Sequence, residues 1–378
     1  MKSSSTSLTQ LAISRLKKNK LAIIGLVVIL IYLIIAVVGP FLRKDDTSKA
    51  NAQYLEIAIE KPGFSVKFLQ ENTPNEKEPW YTIWIFGKST YGNRFPIYDY
   101  SVMGDSLSVE LYTGDDINNG RILAYSITEL AQNNQLDYTD HTKDELIEKI
   151  ISNQTFWLGT DRYGRDVLSR LMAGTWVSFT VGAISIIISL LIGITLGSIA
   201  GFYRGKVDDF IVWLINVIWS IPTLLLIIAI ALALGKGFWQ VFVAVGLTMW
   251  VEVARVVRGQ VLSLREKEYI EAGKALGYLN GRVIFRHIIP NVIGPVIVIS
   301  AANFASAILV EAGLSFLGLG AQPPQATWGK MISEHKGYII TGDAYLAILP
   351  GVAIFILVFA FVLLGNGLRD ALDTKLEN

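Results

Sequence analysis

The sequence predicts an all-α polytopic membrane protein of six transmembrane helices, with a polar extracytoplasmic α/β domain inserted between the first and second. Three observations predict it. The 378 residues are 52% hydrophobic and 17% charged, with a mean hydropathy of +0.45, whereas soluble chains carry about 25% charged residues. Long runs hold no charge at all, and about 20 apolar residues at ~1.5 Å each cross the ~30 Å hydrocarbon core. The charge is also divided: residues 47–156 hold nine Lys/Arg and 16 Asp/Glu, a balance of −7, so the remainder carries +8.

Residues 1–46 form an N-terminal segment and the first span, Leu21–Leu42, which has 22 uncharged residues. A cleaved secretory signal is the alternative reading of that run. The run exceeds the usual apolar region of about 7–15 residues, and Gly39-Pro40-Phe41 is a poor cleavage site. In residues 47–156, Leu55, Ile57 and Ile59 alternate with polar or small residues, as do Leu107, Val109 and Leu111, the period of half-buried strands. Trp80–Phe86 reads as an interior strand. Ser126 with Glu129, and Thr142 with Glu145, have capping-box spacing ahead of short helices. Residues 157–378 supply five more spans. Trp176–Phe202, Phe210–Leu234 and Tyr345–Leu368 are uncharged; Phe238–Val257 contains Glu252 and Arg255, and Val292–Val310 ends at Glu311. Pro222 lies inside the third span and is expected to kink it, as a hinge or as fixed shape.

Lys/Arg placement orients the helices. Arg15, Lys17, Lys18 and Lys20 precede the first span, and seven basic residues crowd Arg255–Arg286. Both point to the cytoplasm, which places residues 47–156 and the Gly235-Lys236-Gly237 turn outside and both termini inside.

The absences narrow the chemistry. There is no Cys, and the three His (His141, His287, His335) form no ligand pattern, so no metal site is expected. The nearest approach to a phosphate-binding loop, Gly205-Lys206-Val207, lacks the hydroxyl and has Ala200 at the upstream glycine position. No Gly-x-Ser-x-Gly elbow occurs. The cleanest spans carry no carboxylate for a proton relay. Glu252, three residues before Arg255, reads as an ion pair facing other helices, with a substrate role as the alternative. No catalytic or cofactor-binding residue is therefore expected, and any energy must come from outside the chain.

The segment 259–290 suggests where it enters. Glu268–Leu276 is helix-compatible, with Tyr269, Ala272, Gly273 and Leu276 expected near one face, and Gly277 suits a left-handed cap. Pro290 stands where a new helix would enter the membrane. This is a short helix and turn whose small residues allow close approach of another protein; an ordinary basic connecting loop is the alternative.

Glu271-Ala272-Gly273, Gly277 and Ile289-Pro290 together resemble the E-A-A-x3-G signature of ABC importer permeases, with the same 19-position Glu-to-Pro spacing. Three further stretches resemble the peptide (oligopeptide/dipeptide/nickel) branch: Phe156–Arg170, Glu311–Gly320 with Gln322-Pro323-Pro324 and Trp328-Gly329, and Leu364–Asp373. Arg15–Gly25 is similar to the start of the second permease subunit of such systems. Gly273, His287 and Asn366 depart from the usual Ala, Ile and Asp.

The resemblance implies a non-catalytic permease subunit of an ATP-driven importer for peptides or similar small solutes, in the cell membrane. It implies a second homologous permease, two cytoplasmic ATP-binding subunits and an extracytoplasmic solute-binding protein as partners. ATP is then bound by those partners. Tyr269, Glu271, Ala272, Gly273, Leu276, Gly277 and Pro290 are the implied ATPase-coupling residues. The resemblance covers residues 8–44 and 156–374 and says nothing about the insert. Rival readings are a membrane receptor whose outer domain binds a ligand and an ion-coupled carrier; the first predicts a signalling domain and the second predicts midplane acids.

Overall fold

The computed structural model of the protein describes residues 8–73, 79–86, 88, 92–114, 117–136, 142–235 and 237–372. The chain opens with α1 (Leu8–Lys18) and α2 (Lys20–Leu42), separated by Asn19. The Asn19 side chain accepts from the Ala22 amide at 3.1 Å and so caps α2. Five described helices are long and apolar enough to cross a membrane: α2, α6 (Val167–Tyr203), α9 (Phe238–Leu264), the run Asn280–Phe316 and α15 (Tyr345–Leu372).

The expected third span is broken. Residues of that run form α7 (Gly205–Trp219) and α8 (Thr223–Ala233), bent by 91° across Ser220, Ile221 and Pro222, so the spans number six only if this pair is one of them. Proline cannot donate the helical bond and its ring collides with the carbonyl four residues back. Here Pro222 leaves the helix altogether and stands as the residue before α8. Lys236 of the predicted tight turn lies outside the described residues.

Helix packing relies on glycine. In α6, Gly193, Gly197 and Gly201 recur every fourth residue along the seam with α9. A Cβ added at these positions would come within 2.6 Å of Val253 Cβ, 2.5 Å of the Ala254 carbonyl and 2.8 Å of Val261 Cβ. From the other side a Cβ added at Gly246 would lie 2.7 Å from Ile188 Cβ, and Ser185 Oγ donates to the Phe242 carbonyl at 3.1 Å. Between apolar helices in lipid no hydrophobic difference drives association, so close backbone approach supplies the dispersion contact. α15 lies against α2, where Gly25 faces the Ala360 carbonyl.

The insert is a five-stranded antiparallel sheet with helices. Its strands are β1 (Phe64–Gln70), β2 (Arg94–Met103), β3 (Ser106–Leu111), β4 (Ile122–Ser126) and β5 (Ile151–Phe156), in the order β4-β3-β2-β1-β5. The short helix α3 (Trp80–Phe86) falls between β1 and β2, while α4 (Ile127–Asn133) and α5 (Lys143–Ile150) precede β5. One face of the sheet buries Leu69, Ile97, Leu107 and Val109 against Ile127, Leu130, Leu146 and Ile150. Val66, Phe68 and Phe156 form a second cluster with Ile57. The Leu107–Leu111 alternation is a strand as expected. Ser126 accepts from the Glu129 amide at 3.2 Å, and Thr142 and Glu145 make the reciprocal capping box.

Two expected strands are not strands. Leu55–Ile57 is a single 3-10 turn followed by Ile59 at φ +62°, so the alternation there marks one buried side chain, Ile57, beside exposed Leu55. Trp80–Phe86 is helix, with Trp80 and Tyr81 exposed; a seven-residue apolar run has no periodicity to separate the two forms.

The remaining elements are α10 (Glu268–Ala275), α11 (Asn280–Val283), α12 (Ile289–Phe316), α13 (Trp328–His335) and α14 (Tyr338–Thr341).

Candidate functional site

Segment 259–290 folds from its sequence upward. Glu268 and Glu271 sit in the first turn of α10 and Lys274 in its last, the charge order that suits a helix dipole. The helix ends on a Schellman motif. The Gly277 amide donates to the Lys274 carbonyl at 2.9 Å, and the Tyr278 amide reaches back five residues to the Gly273 carbonyl at 3.0 Å, with Gly277 at φ +79°. The left-handed cap expected at Gly277 is therefore present.

The faces of α10 differ from expectation at one position. Tyr269, Glu271, Ala272 and Leu276 are exposed, but Gly273 turns inward with Ile270. The chain reversal at Gly277 brings Tyr278 back over Gly273, where an added Cβ would lie 3.2 Å from the ring. Tyr278 in turn stacks on His287 at 5.8 Å and carries the Arg282 guanidinium 4.4 Å from its centroid. Ile270 packs with Phe202, Val257, Val283 and Ile288, which fixes α10 to the ends of α6, α9 and α12. Lys274 lies over the Phe202 ring at 5.0 Å; burial, then Arg265, lowers its pKa. Leu276, Leu279 and Phe285 are each more than 70% exposed, so this loop presents apolar side chains on a basic segment.

Pro290 lies in the first turn of α12, as expected, but that helix does not start afresh. Helical structure runs from Asn280 through a π turn, Ile284–Ile288, into α12. The wider turn gives the proline ring room beside the preceding carbonyls.

The stretch from Phe156 to Arg170 builds a buried charge cluster at the start of α6. Arg165 Nε donates to Asp161 Oδ2 at 2.6 Å, and its terminal nitrogens reach Asn51 at 3.2 Å and Glu334 at 3.1 Å. Arg170 donates to the Ala50 carbonyl at 3.2 Å and lies 3.6 Å from Asp161. Backbone bonds from Tyr54 to Tyr163 and from Ile59 to Asp161, and a hydroxyl bond from Tyr345 to Glu60, attach the insert to the helices. Trp328, fully buried, donates to the Leu171 carbonyl at 3.0 Å across Gly174, where a Cβ would fall 2.6 Å from its ring. The resemblance stretches thus hold the insert, α6 and α13 together. Asn51 and Glu334, which complete the cluster, carried no local signal.

Glu252 and Arg255 do not form the expected ion pair. The Arg255 guanidinium lies over the Trp219 ring, 3.3 Å from its centroid, and Glu252 has no ion pair among the described residues. Among the described residues no group of three or more His, Cys, Asp or Glu could hold a metal.

The family described as binding-protein-dependent transport system inner membrane component matches residues 193–378, and the N-terminal TM domain of oligopeptide transport permease C matches residues 7–62. The glutathione transport system permease protein GsiD of Pectobacterium atrosepticum is 41% identical over 222 residues, 59% of this chain and 73% of that protein. The oligopeptide transport system permease protein OppC of Bacillus subtilis is 40% identical over 221 residues, 58% of this chain and 72% of that protein. A solved inward-facing form of the MetNI methionine ABC transporter aligns over 54% of this chain and 97% of that chain at 17% identity, with a TM-score of 0.46.

Proposed function

This chain belongs to the family of inner-membrane permease components of binding-protein-dependent ABC transport systems, and we propose that the solute it imports is a peptide or a similar small peptide-like molecule. Its relatives, named as peptide and glutathione permeases, support that solute class. The chain is a non-catalytic subunit; ATP hydrolysis belongs to other subunits of the complex. In the arrangement we propose, a second homologous permease completes the pore, two ATP-binding subunits dock below and a solute-binding protein docks outside. The basic segment Arg255–Arg286 faces the cytoplasm and residues 47–156 face outward, near the docked binding protein.

The observation that carries the reading is α10, anchored by Ile270 and Gly273 while Tyr269, Ala272 and Leu276 are free to enter a groove on an ATP-binding subunit. Closure of those subunits on ATP would move α10 and, through the Ile270 cluster, the ends of α6, α9 and α12. The test measures ATPase-subunit retention in detergent-purified complexes and peptide uptake in vesicles. Gly277→Val forces a β-branched residue into a left-handed cap, and Ala272→Trp adds bulk on the free face. Both are expected to lose retention and uptake while still inserting, and Glu271→Ala to lose less. Wild-type retention and uptake in both bulky variants would remove α10 as the coupling element.

A further inference from the structure

The arginines on α9 and at its C-terminal cap are already occupied. Arg258 makes a two-pronged pair with Asp208 at 2.6 and 2.7 Å, Arg265 donates to the Phe202 carbonyl, and Arg255 lies on the Trp219 ring. Glu252 is different: exposed on the surface of the single chain, with neither an ion pair nor a hydrogen bond among the described residues. It stands 14 residues after Phe238 and 12 before Leu264, roughly 21 and 18 Å along the axis at ~1.5 Å per residue. A lone carboxylate at that depth must face protein or water rather than lipid.

It opens on a cavity of about 200 Å³ at the break between α7 and α8, where Thr223, Thr248, Asn303 and Ser306 supply the other polar groups. Asn303 is 3% exposed and its Nδ2 has no partner among the described residues, an arrangement that buried amides avoid unless a ligand or water completes it. The volume is below the roughly 300–1,000 Å³ of a whole-ligand pocket, so it suits one end of a solute. We propose that this cavity is a solute subsite for a primary ammonium group. Glu252 supplies the counter-charge, the Thr248 and Ser306 hydroxyls accept from the ammonium, and Asn303 Nδ2 donates to the neighbouring carbonyl. Ammonium beside carbonyl is the N-terminal end of a peptide, so the proposal rests on the peptide reading above for the solute but not for the charge preference.

The native chain has no cysteine, so Ser306→Cys gives this subunit a single thiol in the cavity, read by mass spectrometry of this chain in the assembled complex. Relative to a free thiol, a cationic aminoethyl methanethiosulfonate is expected to react about tenfold or more faster than the anionic sulfonatoethyl reagent, as focusing by a fixed charge predicts. Adding Glu252→Gln should bring the ratio close to one. In parallel, Glu252→Gln alone should cut dialanine uptake about tenfold with wild-type retention of the second permease. A ratio insensitive to Glu252→Gln, or no labelling with or without ATP, overturns the subsite. Loss of the second permease in Glu252→Gln also overturns it, because Glu252 would then be an interface residue. If the wild-type complex imports no dialanine, the peptide reading fails, while the labelling ratio still decides the ammonium subsite.

Discussion

His335 sits fully buried at the end of α13, with Nδ1 2.8 Å from the Met331 carbonyl and Nε2 unpartnered among the described residues. Burial holds its pKa below the ordinary 6.5; Asp161, the Met331 carbonyl and Glu334 pull upward, Arg165 downward, and the Tyr338 ring lies 5.9 Å away. A depressed base is protonated first in the unfolded chain, so its stabilisation is complete above about pH 6.5 and declines as pH falls below that toward the folded value. The melting temperature of the purified chain is expected to drop between about pH 7 and 5.5, and less so in His335→Leu; equal slopes in a fluorimetric melt series would contradict this. The Gly277 cap was legible in the sequence because a glycine after a helix-compatible run has one common use. The inward turn of Gly273 was not, since it depends on Tyr278 folding back. Nor was the Arg165–Glu334 pair, whose members are 169 positions apart.

Among elements, α6 and α9 depend on backbone proximity, and glycines in different settings should respond with opposite sign. Gly197→Ala places a methyl 2.5 Å from the Ala254 carbonyl, and overpacking of this kind costs about 1–3 kcal/mol. Gly259 on α9 has no atom within 4 Å of an added Cβ, so Gly259→Ala is expected to stabilise by about 0.5–1 kcal/mol through helix propensity. Denaturant titration of the two variants in mixed micelles reads the sign directly. The long spans were legible because an uncharged run of that length has few alternatives. The short elements were not: Leu55–Ile57 and Trp80–Phe86 are too brief for period to decide. At Pro222 the sequence located the disturbance but not its size, because a kink and a 91° break begin from the same missing hydrogen bond.

At the scale of the whole molecule, all five strands of the sheet lie within the acidic segment, residues 47–156. β1 and β5 are adjacent antiparallel strands, with Phe64 opposite Phe156, so their Cα atoms lie about 4.5–5.5 Å apart. Replacing residues 65–155 by a two-residue Asn-Gly turn is therefore expected to leave membrane insertion and ATPase-subunit retention intact; failure to insert would show that the helices need the sheet to form. The same adjacency bears on ancestry. A segment that leaves and re-enters at one point can be gained or lost by a single in-frame event at a hairpin tip, leaving the contacts of α3 on α2 and of Lys88 with Asp46 to resettle. The lineage could thus diversify its polar module while the transmembrane part stayed under separate selection.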